Sequence, residues 1–350
     1  LKKAGLLERW QLLKQGVKIS ELDSKIAENG SSTLILSHMR DDIRQNQAPD
    51  FVESTRTTLD WQYSYALELH TLTGGVFLVD ENAESLSFGS GFDEDTDIRA
   101  VFVQDQIDLD RHRAFLAVRF TDHETFGSQT TWNAEYAYDL SDAWILGGGI
   151  GRAFRAPDAT DRFGFGGSPD LGPELSDSAT LSLRYAGGSR HSVEFELYAN
   201  DIEDLIEFDF ETFTLQNVAK AEIRGASLGY EYRGDTFSLR ANVVNQTADD
   251  ATTGERLLRR AEESATVTLT KSIGKHRLGL SVLASGDRKD FGDVTLDSYV
   301  IANLTGQLAL GKHWQLTARV ENLFDEEYQT AANFRMQELS GFVELKYSRR

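Results

Sequence analysis

"HSVEFELYAN" occupies residues 191–200. Successive side chains of an extended chain point to opposite faces. Val193, Phe195 and Leu197 therefore share one side, and Glu194 and Glu196 the other. The same period of two runs through "RLGLSV" (277–282), where Leu278, Leu280 and Val282 oppose Arg277, Gly279 and Ser281. In "WQLTARVE" (314–321), Leu316, Ala318 and Val320 oppose Gln315, Thr317, Arg319 and Glu321. Val300, Ala302, Leu304, Gly306, Leu308 and Leu310 repeat the pattern, as do Trp132, Ala134, Tyr136 and Tyr138. From about residue 31 onward, alternation is the dominant signal, and it predicts strands with one apolar and one charged face.

The connections between these strands are of two alternating kinds. Short polar turns are predicted near 140–144, 186–191, 232–237, 272–277 and 310–314, with weaker ones near Leu67–His70 and Asp108–Arg113. Between them come longer acidic or glycine-rich loops at 87–97, 155–174, 208–213, 247–256 and 286–297. This spacing yields about sixteen antiparallel strands, more than an open sheet usually carries without curling or closing. Closure removes the edges. Apolar faces turned outward, charged faces turned to a wet lumen and short turns on one rim are the signature of a transmembrane antiparallel β-barrel. The expected fold class is accordingly all-β. No repeat of constant period supports a solenoid or propeller. The segment 1–30 fits an amphipathic helix or a degenerate strand pair equally well and is left unassigned, so the predicted barrel domain is 31–350.

Composition narrows the function. The chain has 350 residues, of which 40% are hydrophobic, and a formal net charge of −20. Phosphate binding needs surplus Lys and Arg, so a nucleic-acid partner is disfavoured. There is no cysteine, which removes disulfides, thiolate metal sites and cysteine nucleophiles. No apolar run approaches the roughly 18 residues of a membrane helix. The sequence begins with Leu1 and shows no signal-peptide core, so it reads as a mature or partial chain.

Several local patterns suggest chemistry and then lose it. Gly225-Ala-Ser227-Leu-Gly229 fits G-x-S-x-G, but a nucleophile elbow needs a helix after the serine, and here "LGYEYRGDTFSLR" reads as strand, turn and strand. "GGGIGRAF" (147–154) lacks the third glycine and the helix of a dinucleotide site. No enzymatic activity is expected. His112, His191, His276 and His313 sit in or beside short turns, where solvated side chains are the ordinary outcome, and no histidine pair has metal-ligand spacing on one strand face. Asp93, Glu94, Asp95 and Asp97 crowd one predicted loop. Calcium is the cation such oxygens take, and a solvated acidic loop is the plainer alternative.

Two stretches carry more. "GRAFRAPDATDRFGFGGSPDLGPE" (151–174) and "ARVENLFDEEYQTA" (318–331) resemble TonB-dependent outer-membrane receptors. Gly151 through Pro157 are intact, as are Asn322-Leu-Phe-Asp325 and Tyr328. "SPDLGPE" keeps Pro169, Leu171, Pro173 and Glu174 but has Gly172 where lysine is usual. "NVAKAEIRGASLGYEY" (217–232) resembles another strand of the family, with Ser227 at a usual glutamate. "GERLLRRAEESATVTL" (254–269) resembles its double-arginine hairpin, with Ala261 replacing proline. The resemblance covers about residues 31–350, and "VQDQIDL" with "TDHETFGSQTTWN" is most similar to the cobalamin-transporting branch.

The resemblance implies a receptor barrel, usually of 22 strands, that takes up a scarce bulky solute such as a corrinoid or a ferric siderophore across the outer membrane of a Gram-negative cell. It implies outer-membrane lipid as the surroundings and the TonB–ExbB–ExbD complex as a partner, reached through a plug domain. No counterpart of that plug or its coupling peptide is recognisable here. A fragment of a receptor and a diverged reduced protein are both open readings, and a passive porin-like channel is the alternative function. Rigid rings dominate binding surfaces, so the expected ligand contacts are the loop residues Phe88, Phe92, Arg162, Phe163, Phe165, Phe208, Phe210 and Phe213. In the final strand Val343, Leu345 and Tyr347 keep the outward alternation, which then arrives at Arg349 where the family usually ends on an aromatic ring.

Overall fold

The structure is a computed structural model that describes residues 11–45, 49–188, 190–210 and 212–348. In chain order the elements are β1 (Gln11–Ala27), β2 (Gly30–Gln45), β3 (Phe51–Ala66), β4 (His70–Ser87), β5 (Ser90–Leu109), β6 (His112–His123) and β7 (Gly127–Asp139). Next come β8 (Trp144–Arg155), the single-turn helix α1 (Ala159–Phe163), β9 (Glu174–Tyr185), β10 (His191–Asp209), β11 (Thr214–Arg233) and β12 (Phe237–Asp250). The chain ends with β13 (Glu263–Ile273), β14 (His276–Ser285), β15 (Arg288–Asp290), β16 (Val294–Leu296), β17 (Tyr299–Leu310), β18 (Trp314–Glu321) and β19 (Ser340–Tyr347).

Among the described residues, seventeen strands belong to one sheet, and β15 with β16 forms a separate hairpin. Sixteen of the seventeen begin at Gly30 or later, the number that the alternation predicts. The seventeenth is β1, inside the unassigned segment. It pairs antiparallel with β2 from Gln11↔Gln45 to Ala27↔Gly30. Strand was thus the outcome at Gln11–Ala27, because a hydrogen-bonded neighbour supplies what the weak local pattern does not. Arg349 lies outside the described residues.

The chain divides into two compact units, Leu1–Tyr136 with Ile150–Asp177 and Ile202–Ala219, and Ala137–Gly149 with Ser178–Asp201 and Lys220–Arg350. In the first unit β2 to β6 form a meander, each strand antiparallel to the one before. The register lines up Leu34, Trp61, Val76, Val101 and Phe120 as one transverse row, and the next row over is Ile35, Asp60, Phe77, Ala100 and Thr121. In the second unit Leu239, Leu269, Leu280, Leu304 and Val320 form an aliphatic row. One step along, on the opposite face, lie Arg240, Thr268, Ser281 and Asn303. The aliphatic face is open: Val101 is 52% exposed and Phe120 55%. A soluble protein rarely leaves so continuous an apolar band uncovered, whereas a bilayer covers it. No helix among the described residues is long and apolar enough to cross a membrane.

One predicted feature needs correction. The segment 87–97 is largely strand, whereas 208–213 spans the connection between β10, which ends at Asp209, and β11, which begins at Thr214. β4 and β5 meet at a turn of Phe88 and Gly89, where both residues have positive φ (50° and 84°). These strands run 18 and 20 residues, and β10 and β11 run 19 and 20. A tilted strand crosses a bilayer in about 9–11 residues. Beyond that length both faces are solvated, so period two fades although pairing continues. The turn histidines are exposed, as the sequence suggests, and make contacts as well. His112 and His191 hydrogen-bond through Nδ1 to the hydroxyls of Tyr136 and Tyr230, and the His313 ring lies 5.9 Å from that of Tyr347. With Trp144 on Tyr185 (4.9 Å) and Trp314 on Tyr347 (4.9 Å), they are rings with a polar edge beside the short turns, the composition of an interfacial girdle.

Candidate functional site

The site is assembled on the connection between β8 and β9. Pro157 is buried, and Asp158 caps α1. Its carboxylate accepts the Asp161 amide (2.8 Å), and the Asp161 carboxylate accepts the Asp158 amide (3.2 Å), a reciprocal capping box. The helix stops after one turn at Gly164, whose amide donates to Thr160 O (3.0 Å). A Cβ at Gly164 would lie 2.6 Å from that same carbonyl oxygen, so only glycine fits the turn.

Polar residues of the 151–174 stretch tie this loop down. Arg155 pairs with Asp161 (2.7 Å) and with Glu174 (3.2 Å). Glu174 also accepts the Ile206 amide of β10 (2.8 Å). Asn217 of β11 accepts the Gly172 amide (2.8 Å) and donates to the carbonyls of Gly172 (3.0 Å) and Asp204 (2.6 Å). Leu171 and Leu205 are buried beside these bonds. The bonds of Arg155 and Glu174 are charge-assisted, hence shorter and stronger than neutral ones, and with those of Asn217 they fasten the loop to the β10–β11 hairpin.

The fastening brings the predicted rings together. Phe165 lies 5.2 Å from Phe88 of the β4–β5 turn and 5.8 Å, edge-on, from Phe213. Phe213 lies 5.2 Å from Phe208, which is 4.8 Å from Phe210. These are favourable edge-to-face separations. Phe92 and Phe163 form an adjoining pair at 6.3 Å. Arg162 sits 4.5 Å over the Phe163 ring and 5.5 Å over Phe126, a cation–π arrangement. All eight sequence-derived contacts therefore fall in two neighbouring ring groups of the first unit. Phe88, Phe165, Phe210 and Phe213 remain exposed, Phe88 to 78%. Sequence reasoning missed Phe126 and His123, whose rings are 5.1 Å apart. They lie at the end of β6 and in the three-residue connection after it, which gave no loop signal.

The acidic candidates come out differently. Asp93, Asp95 and Asp97 alternate along β5 instead of converging from a loop. The Asn82 side-chain amide donates to Asp93 (2.9 Å) and Asp95 (3.0 Å). Among the described residues no group of three or more His, Asp or Glu is arranged to hold a metal ion. Ser227 lies within β11, paired with Val244, and no helix follows it. Gly225 makes room for the Tyr198 ring, whose hydroxyl would lie 2.5 Å from a Cβ there. The G-x-S-x-G match thus marks a ring packed over a strand glycine.

In the second unit, the "NLFD" stretch builds a knot of its own. Asn322 is buried at a φ of 49°. Its side chain accepts the Glu326 amide (2.9 Å) and donates to the carbonyls of Glu326 (2.8 Å) and Gln337 (3.1 Å). Asp325 accepts the Leu339 amide (2.8 Å), and Tyr328 stacks on Tyr299 at 4.4 Å. The double-arginine stretch joins in through Arg259, which donates to Asp290 (2.8 Å). Asp290 also accepts the amides of Phe291 and Ala332. Burial pushes the Asp290 carboxyl up, but these three donors more than offset it and hold its pKa below the ordinary value.

Comparison with known proteins agrees with this layout. The sequence matches the family described as "TonB dependent receptor-like, beta-barrel" over residues 9–323. It is 28% identical over 320 residues to the vitamin B12 transporter BtuB of Vibrio vulnificus, covering 87% of this chain and 52% of that protein. It is 23% identical over 308 residues to the vitamin B12 transporter BtuB of Photobacterium profundum, covering 85% and 50%. Among solved structures, a variant of the ferric enterobactin receptor PfeA of Pseudomonas aeruginosa superimposes with a TM-score of 0.81 at 17% identity, over 96% of this chain and 62% of that one. The copper transporter OprC superimposes with a TM-score of 0.75 at 15% identity, over 97% and 65%. The chain spans about half the length of the B12 transporters it matches. With the family matched over most of its length, and with alternation, pairing and motif contacts in accord, the chain belongs to the TonB-dependent receptor β-barrel family.

Proposed function

We propose that this chain is the barrel portion of an outer-membrane transporter that captures a scarce, bulky solute on its loop aromatics for energised uptake. The observation that carries the reading is the convergence of Phe88, Phe165, Phe208, Phe210 and Phe213 into one exposed cluster. The residues that hold it there, Arg155, Glu174 and Asn217, are motif residues of the family. Individually exposed rings need no explanation, but a contiguous exposed apolar patch marks a binding surface. The relatives that transport vitamin B12 or bear the name of a ferric siderophore receptor support a ligand of that bulk. The barrel performs no bond chemistry in this reading. Outer-membrane lipid covers the aliphatic face, and the TonB–ExbB–ExbD complex supplies the work through a plug domain. No observation beyond strand number favours a passive channel.

The test is ligand binding by the purified chain in detergent, with vitamin B12 and a ferric siderophore as probes. Binding that falls when Phe165 and Phe213 are changed to Ala, in a barrel that still shifts on heating in gel electrophoresis, supports the reading. Binding indifferent to both changes refutes it.

A further inference from the structure

The aliphatic face of the second unit is not level. Leu239, Leu269, Leu280 and Leu304 stand side by side on β12, β13, β14 and β17. Further toward the loops on the same face, these strands align Val243, Ala265, Ala284 and Val300. Alanine projects only a methyl group where leucine projects a branched chain, so the middle of this row is sunken. Val243 and Val300, each 52% exposed, stand as its walls. The trough between them holds a volume of about 650 Å³. Behind it the sheet is closed. On the opposite face Ser285 and Tyr299 are buried, and Arg288 lies over both, donating to Ser285 Oγ (2.6 Å) with its guanidinium 5.3 Å from the Tyr299 ring centre. The trough therefore opens to the side that the bilayer covers.

One same-face step beyond, the surface turns polar. Asn245 and Glu263 pair across β12 and β13. Gly286, whose amide donates to the Glu263 carbonyl (2.8 Å), lines the end without a side chain to block it. Ser298 and Glu326 complete the rim, and the described residues that line the trough include no Lys or Arg.

An apolar floor that ends in a polar rim fits an acyl chain and its headgroup, because a chain laid on the floor regains the contacts that a void forfeits. Charge then decides between headgroups. A lipid of net negative charge brings its anion against two carboxylates, at an interface where the dielectric is lower than in water. A zwitterionic lipid that ends in a primary ammonium brings a cation to those carboxylates, and the Asn245 amide and Ser298 hydroxyl are donors for its phosphate.

We propose that this trough is a retention site for a zwitterionic phospholipid with a primary-ammonium headgroup, such as phosphatidylethanolamine. Ala265 and Ala284 seat the chain, and Glu263 and Glu326 select the headgroup. The site rests on the lipid-facing assignment of the aliphatic rows and is independent of solute capture at the ring cluster.

Native mass spectrometry of the purified chain in detergent, supplied with equimolar phosphatidylethanolamine, phosphatidylglycerol and lipid A, reads the bound lipid directly. Phosphatidylethanolamine should be retained about fivefold over phosphatidylglycerol, the equivalent of about 1 kcal/mol for one charge contact in water. Glu263→Gln with Glu326→Gln should level the two lipids without releasing them. Ala265→Leu with Ala284→Leu brings this row to the size already present at Leu269 and Leu280, and should release both lipids from a barrel that still shifts on heating in gel electrophoresis. Phe165→Ala with Phe213→Ala should leave retention unchanged.

Equal retention of the two phospholipids by the unaltered chain, or preference for lipid A, overturns the headgroup assignment. A preference that survives the paired Glu→Gln changes overturns the role of those carboxylates. Undiminished retention in the folded double-leucine variant, or a loss in the double-phenylalanine variant, overturns the trough as the site.

Discussion

The connection between β8 and β9 and the connection between β18 and β19 are both built on family motifs, yet they end in opposite surfaces. In the first, Arg155, Glu174 and Asn217 spend their hydrogen bonds on fastening a loop, and the rings that loop carries pool with those of two other hairpins. In the second, the buried side chains of Asn322 and Asp290, with the exposed Asp325, use their hydrogen bonds to tie the loop to itself and to its neighbours. Phe324 and Phe334 are exposed there too, at 73% and 68%. Among the described residues, however, neither packs against another ring. Exposure alone therefore does not distinguish the two regions, whereas the pooling of exposed rings on a fastened frame does.

The largest effect that separates the two regions should come from Asn322→Ala. It removes a buried side chain that pairs one amide and two carbonyls, and a group left unpaired away from water costs roughly 1–3 kcal/mol. It should lower the urea midpoint of the detergent-folded barrel further than any single ring change in the first region. A midpoint loss no greater than that of Phe210→Ala would erase the contrast between fastening and display.

The aliphatic rows are the common ground on which both regions stand. Leu280→Arg should cost about 2–4 kcal/mol if the row faces the bilayer midplane, and Thr317→Arg on the other face much less. Gly279 is a poor control, because a Cβ there would meet Thr305 Oγ1 at 2.5 Å. Equal costs at Leu280 and Thr317 would overturn the assignment of faces.

In the ring cluster the effect moves from stability to binding. Phe165→Ala and Phe213→Ala should each cost about 2 kcal/mol of ligand affinity, the scale of an interfacial hot spot. Both should leave the unfolding midpoint nearly unchanged, since Phe165 and Phe213 are about half exposed. Large losses of stability would make the cluster a packing core and not a surface.

The smallest effect sharpens the second region. A carboxyl whose pKa is depressed on folding contributes stability above its unfolded pKa and loses it as pH falls through the folded value. Asp290 should therefore hold the β15–β16 hairpin to the "NLFD" loop at neutral pH and release it below the ordinary carboxylate range, near about pH 4. Limited proteolysis of the 326–339 loop across pH should show that step. Asp290→Asn should cleave similarly at all pH values, and a step that survives in the variant belongs to another group.

The sequence by itself determined the strands that cross the membrane. Period two needs one wet and one apolar face, and residues such as Leu278, Leu280 and Val282 record that directly. The sequence also determined which residues hold the loops, because Arg155, Glu174, Asn322 and Asp325 recur in family stretches. It named the rings of the candidate site by type and by loop. What it left open is instructive. β1 has too little alternation to declare itself and becomes a strand only through its register with β2. The 87–97 segment reads as a loop because beyond the bilayer both faces are polar, yet backbone pairing carries β4 and β5 on to Phe88 and Gly89. Only the tertiary structure brought Phe88, Phe165 and Phe213, from three hairpins, to within 6 Å of one another in sequence-distant pairs. It alone placed Phe126 under Arg162. Periodicity is a property of one strand in its solvent, and proximity between loops depends on pairings and hydrogen bonds that span more than 40 residues of chain.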